Sequence, residues 1–251
     1  MRGDAALAAL DIPAGALVDR RVPKTLLLEH GAPTAADRRQ VNDGIERMQW
    51  VAALKPTTIG VAAYRDDVRE YLEIAVLRVA LRENAKKQRL AELLHRAIPY
   101  PVFAVTEQGE SVSLSVAHKR WSQGEAGKTV LDGEAVAVAA PRDGEVHGPA
   151  FEVALAIGRQ PQASLRAVYQ GWLDTLLALD AARLSGRFSI LPDAKRRATR
   201  REGLSACARL DAEIARLRAA ATKEKQIARL VALNEKLSRA EAARDAALAR
   251  L

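Results

Sequence analysis

The sequence predicts an α+β protein, a mixed β-sheet body with packing helices followed by a C-terminal α-helical coiled-coil arm. Three observations carry that reading. YLEIAVLRVAL (71–81) and PVFAVTE (101–107) are apolar, β-branched runs separated by a helical pattern, which reads as strand, helix, strand. SVSLSVAH (111–118) alternates with the two-residue period of a sheet. From Lys195 to Leu251 there is no proline and Gly203 is the only glycine, while apolar residues recur at steps of three and four. The length of 251 residues suits two unequal parts, a body over 1–160 and a helical region over 161–251.

A short N-terminal helix leads into DIPAGALVDRRVPK, where Pro13, Gly15 and Pro23 make an extended or looping segment. Thr34 followed by Asp37 is a capping-box-like start, and Val41, Ile45, Met48 and Ala52 recur at helical spacing. One amphipathic helix is therefore expected from about 34 to 53, closed by Pro56, with Trp50 as core or as a lid over the sheet. TTIGVAAY (57–64) reads as a strand, and the continuous apolar run of 71–81 as a central one. Asn84 is the expected cap of a helix through Leu90, Leu93, Leu94 and Ala97, which Pro99 closes. The crossover to 101–107 makes those two strands parallel.

Gln108-Gly109-Glu110 is a turn, after which Val112, Leu114 and Val116 face the core and the serines a wet side. TVLDGEAVAVAA (129–140) is one strand, or two around Asp132-Gly133, and a short strand is expected at 151–157. Helical spacing returns at Leu165, Val168, Trp172, Leu176 and Leu179 and ends near Gly186.

In the arm, Leu210, Ile214 and Leu217 share one frame, and Ile227, Leu230, Asn234 and Leu237 a shifted one. The shift lies at ATKEKQ (221–226), so the arm is one long helix with a stutter or an antiparallel hairpin. The lack of a turn residue favours the continuous helix, and Thr222 as a cap keeps the hairpin open. An apolar seam must bury itself, so those seven residues are the candidate partner-binding set, with Asn234 as a buried register-fixing group.

The composition excludes several classes. No stretch approaches the roughly eighteen uninterrupted apolar residues of a membrane span, so a soluble cytoplasmic protein is expected. The lone Cys207, in a helical pattern without a neighbouring histidine, reads as a packing residue. GEAGKT (124–129) resembles the end of a phosphate-binding loop, but Ser122 holds its first glycine position and a β-type stretch follows, so it reads as a loop between strands. His30, His95, His118 and His147 stand far apart, without metal-site spacing. No cofactor, metal or catalytic residue is assigned.

Charge is the informative quantity. Residues 1–191 hold 24 Lys and Arg against 23 Asp and Glu, whereas residues 192–251 hold 15 against 8. A basic arm on a neutral body suggests a polyanion, with DNA the expected one, although the outer faces of any coiled coil are charged. Its candidate contacts are Lys195, Arg196, Arg197, Arg200 and Arg201, extended by Lys223 and Lys225.

Several pieces in order resemble a bacterial and archaeal family known as domain of unknown function 4391. They are RRVPK (20–24), W-x-x-x-L-K-P-T-T-I (50–59), IPYPVF (98–103), SVAHKR (115–120) and KEKQ-x-x-x-x-V-x-L-N (223–234). Residues matching the pattern are Lys24, Trp50, His118, Lys119, Arg120, Lys223, Gln226 and Asn234, and Ala228 stands where a polar residue is expected. The resemblance implies an accessory component of a restriction-like or phage-defence system, encoded beside helicase and DNA-methyltransferase genes. His118, Lys119 and Arg120 would then meet phosphate at a sheet edge, or else form a charged strand end that resists pairing, and Lys24 is a further nucleic-acid candidate. The expected function is a non-enzymatic adaptor that docks on a helicase-type partner and contacts DNA through the arm. The alternatives are a metal-dependent nuclease built from Glu73, Glu107 and Lys119, and a purely structural coiled coil.

Overall fold

The computed structural model describes residues 1–125 and 127–251. It divides into two compact units, Met1–Leu176 and Leu177–Leu251. The first opens with α1 (Gly3–Ala9), β1 (Leu17–Arg21), α2 (Thr25–His30), α3 (Ala35–Gly44), β2 (Ile45–Leu54) and α4 (Pro56–Ile59). It continues through β3 (Tyr64–Arg65), β4 (Glu70–Tyr71), β5 (Ile74–Leu81), α5 (Lys87–Ala97), β6 (Val102–Gln108) and β7 (Ser111–Val116). Then come β8 (Lys119–Trp121), β9 (Thr129–Leu131), β10 (Val136–Ala139), α6 (Gly148–Leu155) and α7 (Leu165–Ser185), whose later turns belong to the second unit. That second unit holds α8 (Ala194–Lys223) and α9 (Ile227–Leu248).

Six strands form one mixed sheet in the order β1-β2-β5-β6-β7-β10, with β5 and β6 parallel and the other neighbours antiparallel. The expected central strand is central, and its crossover helix packs Leu90, Leu93, Leu94 and Ala97 onto Ala75, Leu77, Val79 and Ala104. The opposite sheet face is covered too, with Trp172 of α7 edge-on to Phe103 at 5.0 Å. Where the chain leaves β7, the buried Tyr169 hydroxyl accepts the Ala117 N–H at 2.7 Å and donates toward the Val102 carbonyl at 2.7 Å. A helix side chain thus takes over where the strand ladder stops.

Several elements differ from expectation. The helix from Thr34 ends at Gly44, and Ile45–Leu54 is a strand. Thr34 does cap it, accepting the Asp37 N–H at 3.1 Å. The helical spacing was produced by a β-bulge. Ile45 lies opposite Leu81 and Met48 opposite Val79, so one extra residue between them puts two positions three apart on the same sheet face. TTIGVAAY is not one strand: its first three residues belong to α4, with Pro56 in the first turn and Gly60 ending the helix in the left-handed region at φ 69°, and only Tyr64 enters a strand, β3. Asn84 does not cap α5, which starts after Lys86. At 151–157 the chain is helical through Leu155, started by Pro149. Residues 129–140 make two strands that turn at Gly133, φ 90°, and belong to different sheets.

The serine side of β7 is not wet. Ser113 and Ser115 are 7% and 1% exposed because α5 lies over that face, and the buried His95 Nε2 pairs with Ser115 Oγ at 3.0 Å. A polar layer therefore runs between α5 and the sheet.

Candidate functional site

The arm is a hairpin. α8 and α9 run antiparallel, with Arg218 bonded to Glu241 at 2.7 Å and Arg244 to Asp211 at 2.6 Å. The continuous helix is overturned at Glu224–Gln226, where no glycine or proline is needed because the Glu224 carboxylate accepts the N–H groups of Lys225 and Gln226, both at 2.9 Å. Thr222 bonds back to the Arg218 carbonyl and caps nothing. Cys207, Leu210, Ile214 and Leu217 bury against Leu233, Leu237, Ala240, Ala247 and Leu248. Gly203 sits at the close approach, where an added Cβ would stand 3.0 Å from the Leu251 side chain. Asn234 is exposed rather than buried in the seam, and Ile227 is 80% exposed with Leu230 half-buried beside it.

The nominated cations separate into two groups. Two of them hold up helix ends, and a third is tied to carbonyls outside the helices. Lys24 Nζ donates to the Asn42 carbonyl at 3.0 Å, near the C-terminus of α3. Lys119 is only 2% exposed, and its Nζ donates to the carbonyls of His95 and Ile98 at the C-terminus of α5. Arg200, 3% exposed, donates to Ser189 and to the Leu251 carbonyl beyond α9. A helix C-terminus leaves its last carbonyls unpaired and partly negative, so a cation there is satisfied by main chain and does not face a phosphate. Phosphate contact from Lys119 and Arg200 is ruled out by this burial. His118 is also engaged, its Nδ1 with the Tyr71 hydroxyl and its Nε2 with Gln170 Oε1 at 2.9 Å.

The others are accessible. Lys195, Arg196, Arg201, Lys223 and Lys225 are exposed and Arg197 is half-buried, while Arg120 is half-buried and donates to the Trp121 carbonyl. On α8 the exposed Lys195, Arg209, Arg216 and Lys223 fall at multiples of seven residues, with the exposed Glu202 at the step between the first two. Seven residues are about two turns and about 10.5 Å, so these four align on the face turned away from the buried Leu210, Ile214 and Leu217.

The nuclease constellation is not assembled. Ala75 lies beside Val102 and Ala80 beside Glu107, so Glu73, just before β5, and Glu107, near the end of β6, stand at opposite ends of the strand pair. Their separation along the strands is roughly 20 Å. Each is also committed, Glu73 to Lys55 at 2.8 Å and Glu107 to Arg78 at 2.7 Å. Among the described residues no group of His, Cys, Asp and Glu side chains is placed to hold a metal ion. GEAGKT includes Ala126, outside the described residues; around it, β8 and β9 pair antiparallel and the Ser122 N–H donates to the Lys128 carbonyl at 2.8 Å, as in a loop between strands. No helix among the described residues is long and apolar enough to cross a membrane.

The family model described as Domain of unknown function (DUF4391) matches residues 10–243. The chain belongs to the DUF4391 family. No curated protein and no solved structure matches it.

Of the residues nominated through the resemblance, several are architectural. Lys24 and Lys119 close helices, and Trp50 stacks on Tyr100 at 6.1 Å while donating to the Ala52 carbonyl. Sequence reasoning did not single out Arg209 and Arg216; their seven-residue step opposite the apolar seam was the signal that would have found them. It also passed over a groove of about 1330 Å³ in this DUF4391 chain, between α5 and the β8–β9 ribbon. Lys87, Glu92 and Arg96 line one wall and Arg120 and Glu134 another, over a floor of Ser113, Ala137 and Ala139.

Proposed function

We propose that this chain is an accessory, non-enzymatic component of a DNA-targeting system of the restriction-like or phage-defence kind. Its body docks on a helicase-type partner and its basic helical hairpin contacts DNA. The observation that carries the reading is the aligned, exposed Lys195, Arg209, Arg216 and Lys223 on α8. The seam behind them is buried within the chain, so this face needs no partner helix to cover apolar residues, and Arg209, Arg216 and Lys223, at even seven-residue steps, suit a phosphate backbone, with Lys195 set apart beyond the exposed Glu202. The helicase-type partner enters through the family resemblance.

The test is a salt titration of binding to fluorescent single- and double-stranded DNA, comparing the full chain with an Arg209→Glu, Arg216→Glu, Lys223→Glu variant whose fold is checked by circular dichroism. For the unaltered chain, log K on duplex DNA is expected to fall with log salt by about 0.9 per phosphate neutralised, and the variant's slope to be shallower by about 3 units. Absence of binding by the unaltered chain at low salt would sink the DNA half.

A second reading, assembly through the hairpin tip, is favoured by Ile227 and Val231, one turn apart and 80% and 52% exposed. Sedimentation would reveal it as a concentration-dependent dimer that Ile227→Glu abolishes; a monomer at all concentrations would dismiss it.

A further inference from the structure

The two edges of the six-stranded sheet are built differently. β1 carries Arg20 and Arg21, a bulge between Leu17 and Arg20, and Asp19 in the left-handed region at φ 47°. Charge and irregularity of this kind keep an edge from pairing. β10 is VAVA, without charge, proline or bulge, and it pairs on one side only, with β7.

The register says which of its backbone groups are free. The Ala140 N–H donates to the Val112 carbonyl, and Val138 lies opposite Leu114 and Val136 opposite Val116 in the same alternation. In an antiparallel pair alternate residues exchange both bonds, so Val136 and Val138 turn their groups to β7, and Ala137 and Ala139 turn theirs to the open edge. Among the described residues nothing pairs with those two N–H and two C=O groups.

Beside this edge the exposed methyls of Ala137 and Ala139 floor the groove, leaving room where larger side chains would fill it. The walls lean cationic. Glu92 is engaged by both Arg89 and Arg96 at 2.7 Å, and the remaining charged lining is Lys87, bonded only to the neutral Ser111 hydroxyl, Arg120, bonded to the Trp121 carbonyl, and Glu134.

We propose that the β10 edge and its groove take an extended, acidic segment of a protein partner, which adds to the sheet as a further strand. Main-chain bonds to Ala137 and Ala139 give the attachment, and alternate acidic side chains meet Arg120 and Lys87. This deepens the adaptor half of the proposed function, on which it rests, and does not depend on the DNA-facing hairpin.

The experiment selects octapeptides from a random display library on the full chain and measures the enriched ones as fluorescent peptides by anisotropy. The expected winners alternate acidic with β-branched residues. Their affinity falls at least tenfold in Ala137→Pro, which removes one outward N–H and spares the bonds to β7, and at least fivefold in Arg120→Glu. N-methylation of alternate peptide amides gives the same tenfold loss on the unaltered protein, so the result stands even if the proline variant fails to fold.

No enrichment, or winners indifferent to N-methylation, overturns the proposal. A concentration-dependent dimer of the full chain that Ala137→Pro abolishes would assign the edge to a second copy and also overturn it. DNA affinity is measured in parallel: retained DNA binding with no peptide binding refutes the strand-addition site alone, whereas loss of both removes the adaptor reading itself.

Discussion

Lys119→Ala is expected to destabilise the chain by about 3 kcal/mol, and Lys119→Met by about 1 kcal/mol, with neither changing DNA affinity. The larger effect has two sources. Removing the stem leaves a cavity beneath α5, and removing the ammonium leaves the carbonyls of His95 and Ile98 unpaired at a buried helix end. Each unpaired buried carbonyl costs about 1–3 kcal/mol and a Met-sized cavity about 2–5 kcal/mol. Against this stands the cost of burying a charge, which pushes the Lys119 ammonium down to about 8 and is relieved when the charge is deleted. Methionine keeps the volume and deletes the charge, so it removes the cavity contribution and measures the two unpaired carbonyls less the relieved cost of burying the charge.

Urea denaturation of the three proteins at pH 7 measures these differences, and DNA anisotropy on the same samples provides the contrast. A phosphate-binding lysine would behave in the opposite way, losing DNA affinity with little change in stability. A Lys119→Met protein as stable as the parent but tenfold weaker for DNA would overturn the structural assignment. The same burial sets an alkaline signature. Between pH of about 8 and 10.5 the unfolded lysine holds a proton that the folded one has lost, so stability rises with pH across that window. Lys119→Met removes this rise.

What the sequence revealed and what it concealed follow one physical line. β5, α5 and β6 were legible because each buries a continuous or strictly periodic apolar set. β2 was misread because its bulge gave Ile45 and Met48 a helical step, which periodicity cannot distinguish from a true helix. The serines of β7 were placed in water because sequence reports their polarity and not the helix that covers them. The hairpin was the less favoured of two readings because Glu224 does with a carboxylate what a glycine usually does with its backbone.

The candidate site divides in the same way. A cation that neutralises main-chain carbonyls and one left exposed have the same sequence, so Lys24, Lys119 and Arg200 were indistinguishable from Lys195 and Arg201 until their carbonyl partners were located. The groove and the open edge of β10 depend on which strand lies next to which, and local pattern carries no such information.

The chain is also expected to lose stability in mild acid, through His95. This side chain is fully buried in the polar layer under α5, and desolvation, reinforced by the Lys119 charge, holds its imidazolium down at about 3. Its Nε2 pairs with Ser115, and among the described residues its Nδ1 has no hydrogen-bond partner, so nothing compensates a proton placed there. Between pH of about 6.5 and 3 the unfolded histidine is protonated and the folded one is not. The unfolded state therefore binds more protons, and stability is full above about 6.5 and falls as pH falls through that window, by up to about 1.4 kcal/mol per pH unit. Urea midpoints at pH 7, 6, 5 and 4 measure the slope. His95→Gln can keep the bond to Ser115 without a titrating group, so its slope is expected to be shallower than the parent's by about 1 kcal/mol per pH unit. Equal slopes in the two proteins would show that the acid sensitivity lies elsewhere and that the layer under α5 admits the charge.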